Sequence, residues 1–241
     1  MTHAPFAAFY FDCDSTLSEI EGVDELTRDL AASARRELQE LTQAAMEGRL
    51  PLAEVYEQRL GVLAPNRRKL EDIGHSYISH LVPDAAATVD ALRSLGKHVG
   101  IVSGGLRQSV SALAEHLGID DANVHAVTVI HDESGSYVDF DRESPLWKNQ
   151  GKVLVLESLP ENRRPLLFMG DGITDLEVQG TADLFVGFGG VDTRAQVAEA
   201  AEVFVTSKSL SAVLDVGLTD DEKAALERDQ RFENLLRNTG E

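Results

Sequence analysis

Ala7-Ala8-Phe9-Tyr10-Phe11-Asp12-Cys13-Asp14-Ser15-Thr16-Leu17 is the stretch on which the reading of this chain turns. Five apolar residues run without alternation into two aspartates one residue apart, then two hydroxyls and another apolar residue. A short continuous apolar run predicts a central parallel strand buried on both faces. The carboxylates then fall at its C-terminal end, the edge at which open α/β sheets bind ligands. Two like charges buried there need a cation or a hydrogen-bond network to neutralise them. A strand closed by an Asx–Ser turn accounts for the same residues, so the rest of the chain has to decide.

Outward from this strand the texture changes. Glu19 to Leu63 is rich in Ala, Leu, Glu, Arg and Gln, with Val23, Leu26, Leu30, Ala34, Leu38, Leu41 and Ala45 at helical spacing. Pro51 opens a second helix over Leu52 to about Leu63, and a third follows Pro65 to about His80. So long a helical block between two α/β units exceeds ordinary connections. It predicts an inserted cap over 18–81, hinged near Ser18 and Leu81-Val82 so that it opens for substrate and closes against water.

After Pro83 strands and helices alternate. Helix Asp84–Leu95 leads to strand Lys97–Val102, which ends at Ser103-Gly104-Gly105. Arg107–Leu117 is a helix closed by Gly118, and Val127–Ile130 with Tyr137–Phe140 reads as a β-hairpin. A helix over Gly151–Leu159 precedes a second apolar strand, Pro165–Met169, which runs into Gly170-Asp171-Gly172-Ile173-Thr174-Asp175. Strands follow at Asp183–Gly187 and Glu202–Val205. Thr219-Asp220-Asp221-Glu222 is a capping-box start for a last polar helix expected to fray before Glu241. The alternation predicts an α/β fold with a doubly wound parallel sheet, its core at 1–17 and 82–218, and a polar tail at 219–241.

The chain has 241 residues and a formal charge of −19, with no basic block, which argues against nucleic acid or an anionic membrane as partner. Its single cysteine, Cys13, cannot form an internal disulfide and suits a reducing compartment. Met1 to Phe11 lacks the basic start and long apolar run of a signal peptide, and no stretch reaches the length of a membrane span. A cytoplasmic protein, monomer or homodimer, is expected.

Asp12, Asp14, Ser103, Asp171 and Asp175 stand after successive strands, and Lys152 opens a helix between them. In a parallel sheet these positions share one edge. Converging carboxylates want a hard cation, and oxygen-only ligands point to Mg²⁺ rather than zinc. A hydroxyl, glycine amides, a lysine and a metal together make a site for a phosphoryl group. One carboxylate facing the phosphorus could then attack it.

Asp12-x-Asp14-x-Thr16, Ser103-Gly104-Gly105, Lys152 and Gly170-Asp171-Gly172-x-x-Asp175 resemble, in order and spacing, the four motifs of haloacid dehalogenase-type phosphatases. Glu21-Gly22-Val23-Asp24-Glu25-Leu26, Met46-x-Gly48, Arg59-Leu60 and Gly187-Phe188-Gly189-Gly190 add a likeness to the phosphoserine phosphatase family. The resemblance covers about Phe9 to Leu214. It implies a Rossmann-like core with a helical cap, and Mg²⁺-dependent hydrolysis of O-phospho-L-serine through an aspartyl phosphate, the last step of serine synthesis. Asp12 would then be nucleophile and Asp14 general acid, then base. Mg²⁺ would be held by the Asp12 side chain, the Asp14 backbone carbonyl and Asp171, with Asp175 supporting them. Ser103, the Gly104 amide and Lys152 would hold phosphate oxygens. Glu21 would take the substrate ammonium and Arg59 its carboxylate, with Met46 and Thr174 also lining the substrate.

Leu52 stands where many relatives carry an aromatic residue. Lys148 also lies near the third motif, and Gly151-Lys152 fits the usual Gly-Lys better. A phosphatase or phosphotransferase for phosphothreonine or phosphohomoserine is the nearest alternative. A phospho-receiver signalling domain is a further one, opposed by the long helical insertion and by the second acid at Asp14.

Overall fold

The computed structural model describes the backbone at residues 4–46 and 50–236, and side chains at the same positions except 43–46. β1 (Ala8–Phe11) is followed by four helices, α1 (Gly22–Glu25), α2 (Ala32–Met46), α3 (Leu52–Leu63) and α4 (Arg67–Ser79). α5 (Ala85–Ser94) returns the chain to β2 (His98–Leu106), then come α6 (Arg107–His116), β3 (Val124–Val127), β4 (Val129–His131) and β5 (Tyr137–Phe140). α7 (Gly151–Ser158), β6 (Leu166–Gly170), α8 (Ile173–Leu176), β7 (Leu184–Phe188), α9 (Ala195–Ala200) and β8 (Val203–Val205) follow, then α10 (Ala212–Gly217) and α11 (Asp220–Glu227).

Six strands form one parallel sheet in the order β3-β2-β1-β6-β7-β8, and β4 pairs with β5 in a separate antiparallel ribbon. All four residues of β1 and all five of β6 are buried, as their unbroken apolar sequences require of strands covered on both faces. From β1 the chain winds outward through β2 and β3, then crosses back and winds the other way through β6, β7 and β8. The sheet therefore reverses between β1 and β6, which places the acids after these two strands on either side of one crevice.

Four details differ from the sequence reading. The apolar run around Val127 is split: Val124–Val127 joins the main sheet beside β2, and only Val129–His131 pairs with β5. Two short adjacent strands look like one run, because periodicity gives no signal at the Thr128 break. β2 continues through Ser103-Gly104-Gly105 to Leu106 with a register shift after Val102, where two glycines let the backbone bulge. The first helical run is broken into α1 and α2, and the Arg35 guanidinium donates to the carbonyls of Thr27, Arg28 and Leu30 across the break. Finally, the capping box forms at Thr219 and Glu222, but the tail does not remain a solvated helix. Leu226, Phe232 and Leu235 are buried, and Lys97 bonds Glu222.

The helical segment is joined to the core at two adjacent strands of chain. Glu19 N donates to His80 O at 2.8 Å and Val82 N to Leu17 O at 3.1 Å. α4 packs closely on α6: Ser109 Oγ donates to Leu70 O at 2.7 Å, and a Cβ at Gly74 would stand 2.8 Å from that of Ala112. Among the described residues no helix is long and apolar enough to cross a membrane.

Candidate active site

β1 delivers Asp12 to the sheet edge, and the chain turns at once. Ser15 adopts φ 49°, a left-handed conformation that costs a non-glycine residue about 1 kcal/mol or more. Such a turn reverses the backbone directly behind Asp14, and Ser15 Oγ donates to Glu21 Oε1 at 2.9 Å. β6 delivers Asp171 in the same way, and Asp175 lies in the first turn of α8, where its Oδ2 accepts from Gly172 N at 2.8 Å. Gly170 has no room for a side chain, since a Cβ there would stand 2.7 Å from the Asp175 Cβ.

Oxygens of Asp12, Asp171 and Asp175 lie within 4.8 Å of one another, and all three residues are buried. Lys152, the second residue of α7, reaches into this cluster with its ammonium 3.0 Å from Asp12 Oδ1 and 2.5 Å from Asp175 Oδ1. Only 6 % of its side chain is exposed. Burial alone would lower its pKa, but the two carboxylates outweigh that and raise it. Lys148 instead stacks on the Trp147 ring at 4.3 Å.

Above the cluster opens a cleft of about 490 Å³. Its walls include Asp12, Asp14, Ser103, Gly104, Lys152, Asp171 and Thr174 from the core, and Glu21, Leu52, Tyr56 and Arg59 from the helical segment. Ser103 is fully buried, with its Oγ accepting from Gly105 N at 3.0 Å, so its own proton is left to donate elsewhere. Tyr56 Oη donates to Gly104 O at 3.0 Å and its ring meets Phe140 edge-on at 5.6 Å, one helical turn beyond Leu52. Arg59 pairs with Asp24 at 2.5 Å, while its Nε is buried with no hydrogen-bond partner. Met46 closes α2, and its side chain lies outside the described residues, as does Gly48.

Arg194, just before α9, was not found from sequence. Its Nε donates to Asp171 Oδ2 at 2.8 Å and its Nη2 to Glu21 Oε1 at 3.2 Å. It thus bridges the core cluster and the helical segment across the cleft. The signal available was slight: one arginine shortly after the Gly187-Phe188-Gly189-Gly190 turn, at the end of β7 and hence on the same sheet edge.

The electrostatics follow from crowding. Burial first, then repulsion from Asp12, raises Asp14 to about 6, Asp171 to about 6 and Asp175 to about 8, with Lys152 pulling Asp175 back. Glu21 is raised to about 7 by burial and by Asp14. A hard divalent cation fits this donor set: it is oxygen-only, crowded and electrically unfavourable without positive charge. Each of these acids holds its proton to higher pH when folded than when unfolded. Their contribution to folding is therefore greatest in acid and is lost as pH rises from about 4 through the folded values. Mg²⁺ at about ten times its Kd should add about 1.4 kcal/mol, or about 3–5 °C in Tm. The increment over EDTA should be larger at pH 8 than at pH 5.5. Equal increments at the two pH values in differential scanning fluorimetry would contradict the metal site.

Known proteins give the same arrangement a context. Residues 6–178 match the family model described as haloacid dehalogenase-like hydrolase. The phosphoserine phosphatase of Bos taurus is 34 % identical over 201 residues, covering 83 % of this chain and 88 % of its own, and that of Homo sapiens is 33 % identical over the same shares. A solved structure of a phosphoserine phosphatase as a phospho-aspartyl intermediate analogue superposes with a TM-score of 0.72 at 25 % identity, covering 88 % of this chain and 99 % of that one.

Proposed function

The chain belongs to the haloacid dehalogenase-like hydrolases and, within them, to the phosphoserine phosphatase family, and from that premise we propose that it hydrolyses O-phospho-L-serine to L-serine and phosphate, the last step of serine synthesis, through a phosphorylated Asp12. The observation that carries the reading is the buried Lys152 set between Asp12 and Asp175 at the floor of a cleft whose far wall holds Glu21 and Arg59. Membership of a hydrolase family sets the receiver alternative aside.

In this reading residues 18–81 form a cap over the sheet edge. The substrate phosphoryl group lies against Ser103, the Gly104 amide and Lys152, which neutralise the charge on its oxygens. The Asp12 carboxylate attacks phosphorus while Asp14 protonates the departing serine oxygen, so that the P–O bond breaks as the Asp12–phosphorus bond forms. Asp14 then takes a proton from the water that attacks phosphorus, and phosphate and free Asp12 result. When bound by the Asp12 and Asp171 side chains and the Asp14 carbonyl, with Asp175 behind them, Mg²⁺ would supply positive charge to the transferring phosphoryl group. Asp171 is kept in place by Thr16 Oγ1 at 3.3 Å and by Arg194.

Substrate choice rests on two opposed charges. Arg59 lines the cleft and its buried Nε has no hydrogen-bond partner, so in this reading the guanidinium is the donor group that a substrate carboxylate would meet. Glu21 presents the anionic counterpart to an ammonium. Thr174 and Met46 complete the substrate's surroundings in this proposal. Glu21→Gln and Arg59→Ala should each lower kcat/KM for phosphoserine by about 10²-fold. Neither should change kcat/KM for a phosphomonoester lacking both charges by more than about threefold. Indifference of phosphoserine turnover to both variants would point to another phosphomonoester, phosphothreonine or phosphohomoserine included.

A further inference from the structure

Asp14 does not hang free in the cleft. Its Oδ1 accepts two hydrogen bonds, from Gly22 N at 2.6 Å and from Tyr77 Oη at 2.7 Å. Its Oδ2 lies near Ser103: a Cβ built on Gly105 would stand 3.2 Å from Asp14 Oδ2 and 3.2 Å from Ser103 Oγ, so these two oxygens flank one spot. One carboxyl oxygen is thereby saturated by donors from the helical segment, and the other lies in the neighbourhood of the hydroxyl proposed above to hold the phosphoryl group.

We propose that Tyr77 is a positioning residue for the reaction, locking the Asp14 carboxyl so that its transferable proton resides on Oδ2, beside the leaving oxygen. The inference rests on the acid–base assignment of Asp14 made above. An oxygen that already accepts two N–H or O–H bonds is a poor place for a proton, because the proton would oppose both donors. With Oδ1 so occupied, the proton sits on Oδ2, passes to the serine oxygen as the P–O bond breaks, and returns to Oδ2 from water in the second half-reaction. Atoms and charge balance over the cycle with no further reactant.

The support of Tyr77 is consistent with this role. It is 1 % exposed, at the last buried position of the α4 face formed by Leu70, Ile73, Gly74 and Tyr77. That face is fastened to α6 through Ser109 and Leu70, and Ser18 Oγ donates to Tyr77 O at 3.1 Å where the helical segment meets β1. Burial and the neighbouring Asp14 hold its phenol well above the usual range, so it remains a donor. Gly22 has no side chain because a Cβ there would overlap the Tyr77 hydroxyl, so the two donors fit only as a pair.

Leaving-group dependence separates this from a merely structural role. An alkyl phosphate such as phosphoserine needs its leaving oxygen protonated, whereas the phenolate of p-nitrophenyl phosphate departs without a proton. Tyr77→Phe should lower kcat for phosphoserine about 10–100-fold with little change in KM. The first-turnover release of p-nitrophenolate, followed by stopped flow with Mg²⁺, should change less than about threefold, leaving a burst ahead of slow hydrolysis of the phosphoenzyme. Gly22→Ala keeps the N–H but displaces the phenol, and should give the same split if Tyr77→Phe folds poorly. Equal losses on the two substrates, or no loss on phosphoserine, would overturn the proposal. Should the wild type prefer another alkyl phosphate, phosphoserine is the wrong substrate, and the same split is read on the preferred ester.

Discussion

Asp12→Asn is expected to abolish phosphate release, by on the order of 10⁴–10⁶-fold in kcat/KM, without making the metal-free protein less stable. The amide nearly matches the carboxylate in shape but cannot attack phosphorus. Its effect on stability has the opposite sign to that of most active-site damage. Asp12 is a cause of the upward shifts at Asp14, Asp171 and Asp175, so removing its charge relieves three neighbours at once. The loss is one of two partners for Lys152, which keeps Asp175 at 2.5 Å. The Tm in EDTA at pH 8 should therefore equal or exceed that of the wild type, as expected where function is maintained against stability. A fall of several degrees would mean that repulsion from Asp12 does not strain the acid cluster.

Lys152→Met is the contrasting case. The substitution keeps an unbranched apolar chain of similar volume but leaves the buried Asp12 and Asp175 without their shared cation. Breaking a buried ion pair from one side costs about 3–5 kcal/mol, because the remaining charge is uncompensated. For a chain of this size that is about 10 °C in Tm, measured in EDTA by thermal unfolding. The deficit should shrink as pH falls below about 8, where Asp175 takes up a proton instead. Activity should fall at least about 10²–10³-fold even with saturating Mg²⁺, since the phosphoryl oxygens lose a fixed positive charge. A variant as stable as the wild type would place Lys152 outside the cluster. Loss of activity in both variants, with opposite effects on stability, would show one set of charges serving the chemistry and taxing the fold.

The acids of this site that were legible in the sequence share one property: they stand at or just after the end of an apolar strand. Asp12 follows Ala8–Phe11 and Asp171 follows Leu166–Gly170, and a parallel sheet puts such positions on one edge whatever the details of packing. Lys152 was legible through the Gly151-Lys152 pair that opens α7, although its burial was not, since nothing local distinguishes it from the solvated Lys148. The parallel α/β core followed from alternating texture in the same way. Yet β3 was absorbed into the hairpin, because Val124–Val127 and Val129–His131 are separated by only one residue. The buried Phe232 and Leu235 in the acidic tail were missed because two apolar residues among charges carry no period.

Tyr77 and Arg194 were illegible for a different reason. An aromatic residue on the apolar face of an amphipathic helix reads as packing, and Tyr77 is indeed packed; only tertiary structure brings its hydroxyl to Asp14. An arginine at a helix start reads as a surface charge until Asp171 and Glu21 are seen on either side of it. Contacts between residues far apart in the chain depend on the relative placement of whole elements, which local patterns do not encode.

The most direct test of the account is to mix the enzyme with Mg²⁺ and phosphoserine labelled in the phosphoryl group, quench in acid within the first turnovers, and map the label by mass spectrometry. Label is expected on Asp12, formed and lost at rates compatible with turnover, and none on the Asp12→Asn variant. Steady phosphate release with no label on Asp12, or label retained on a Ser or His, would contradict it.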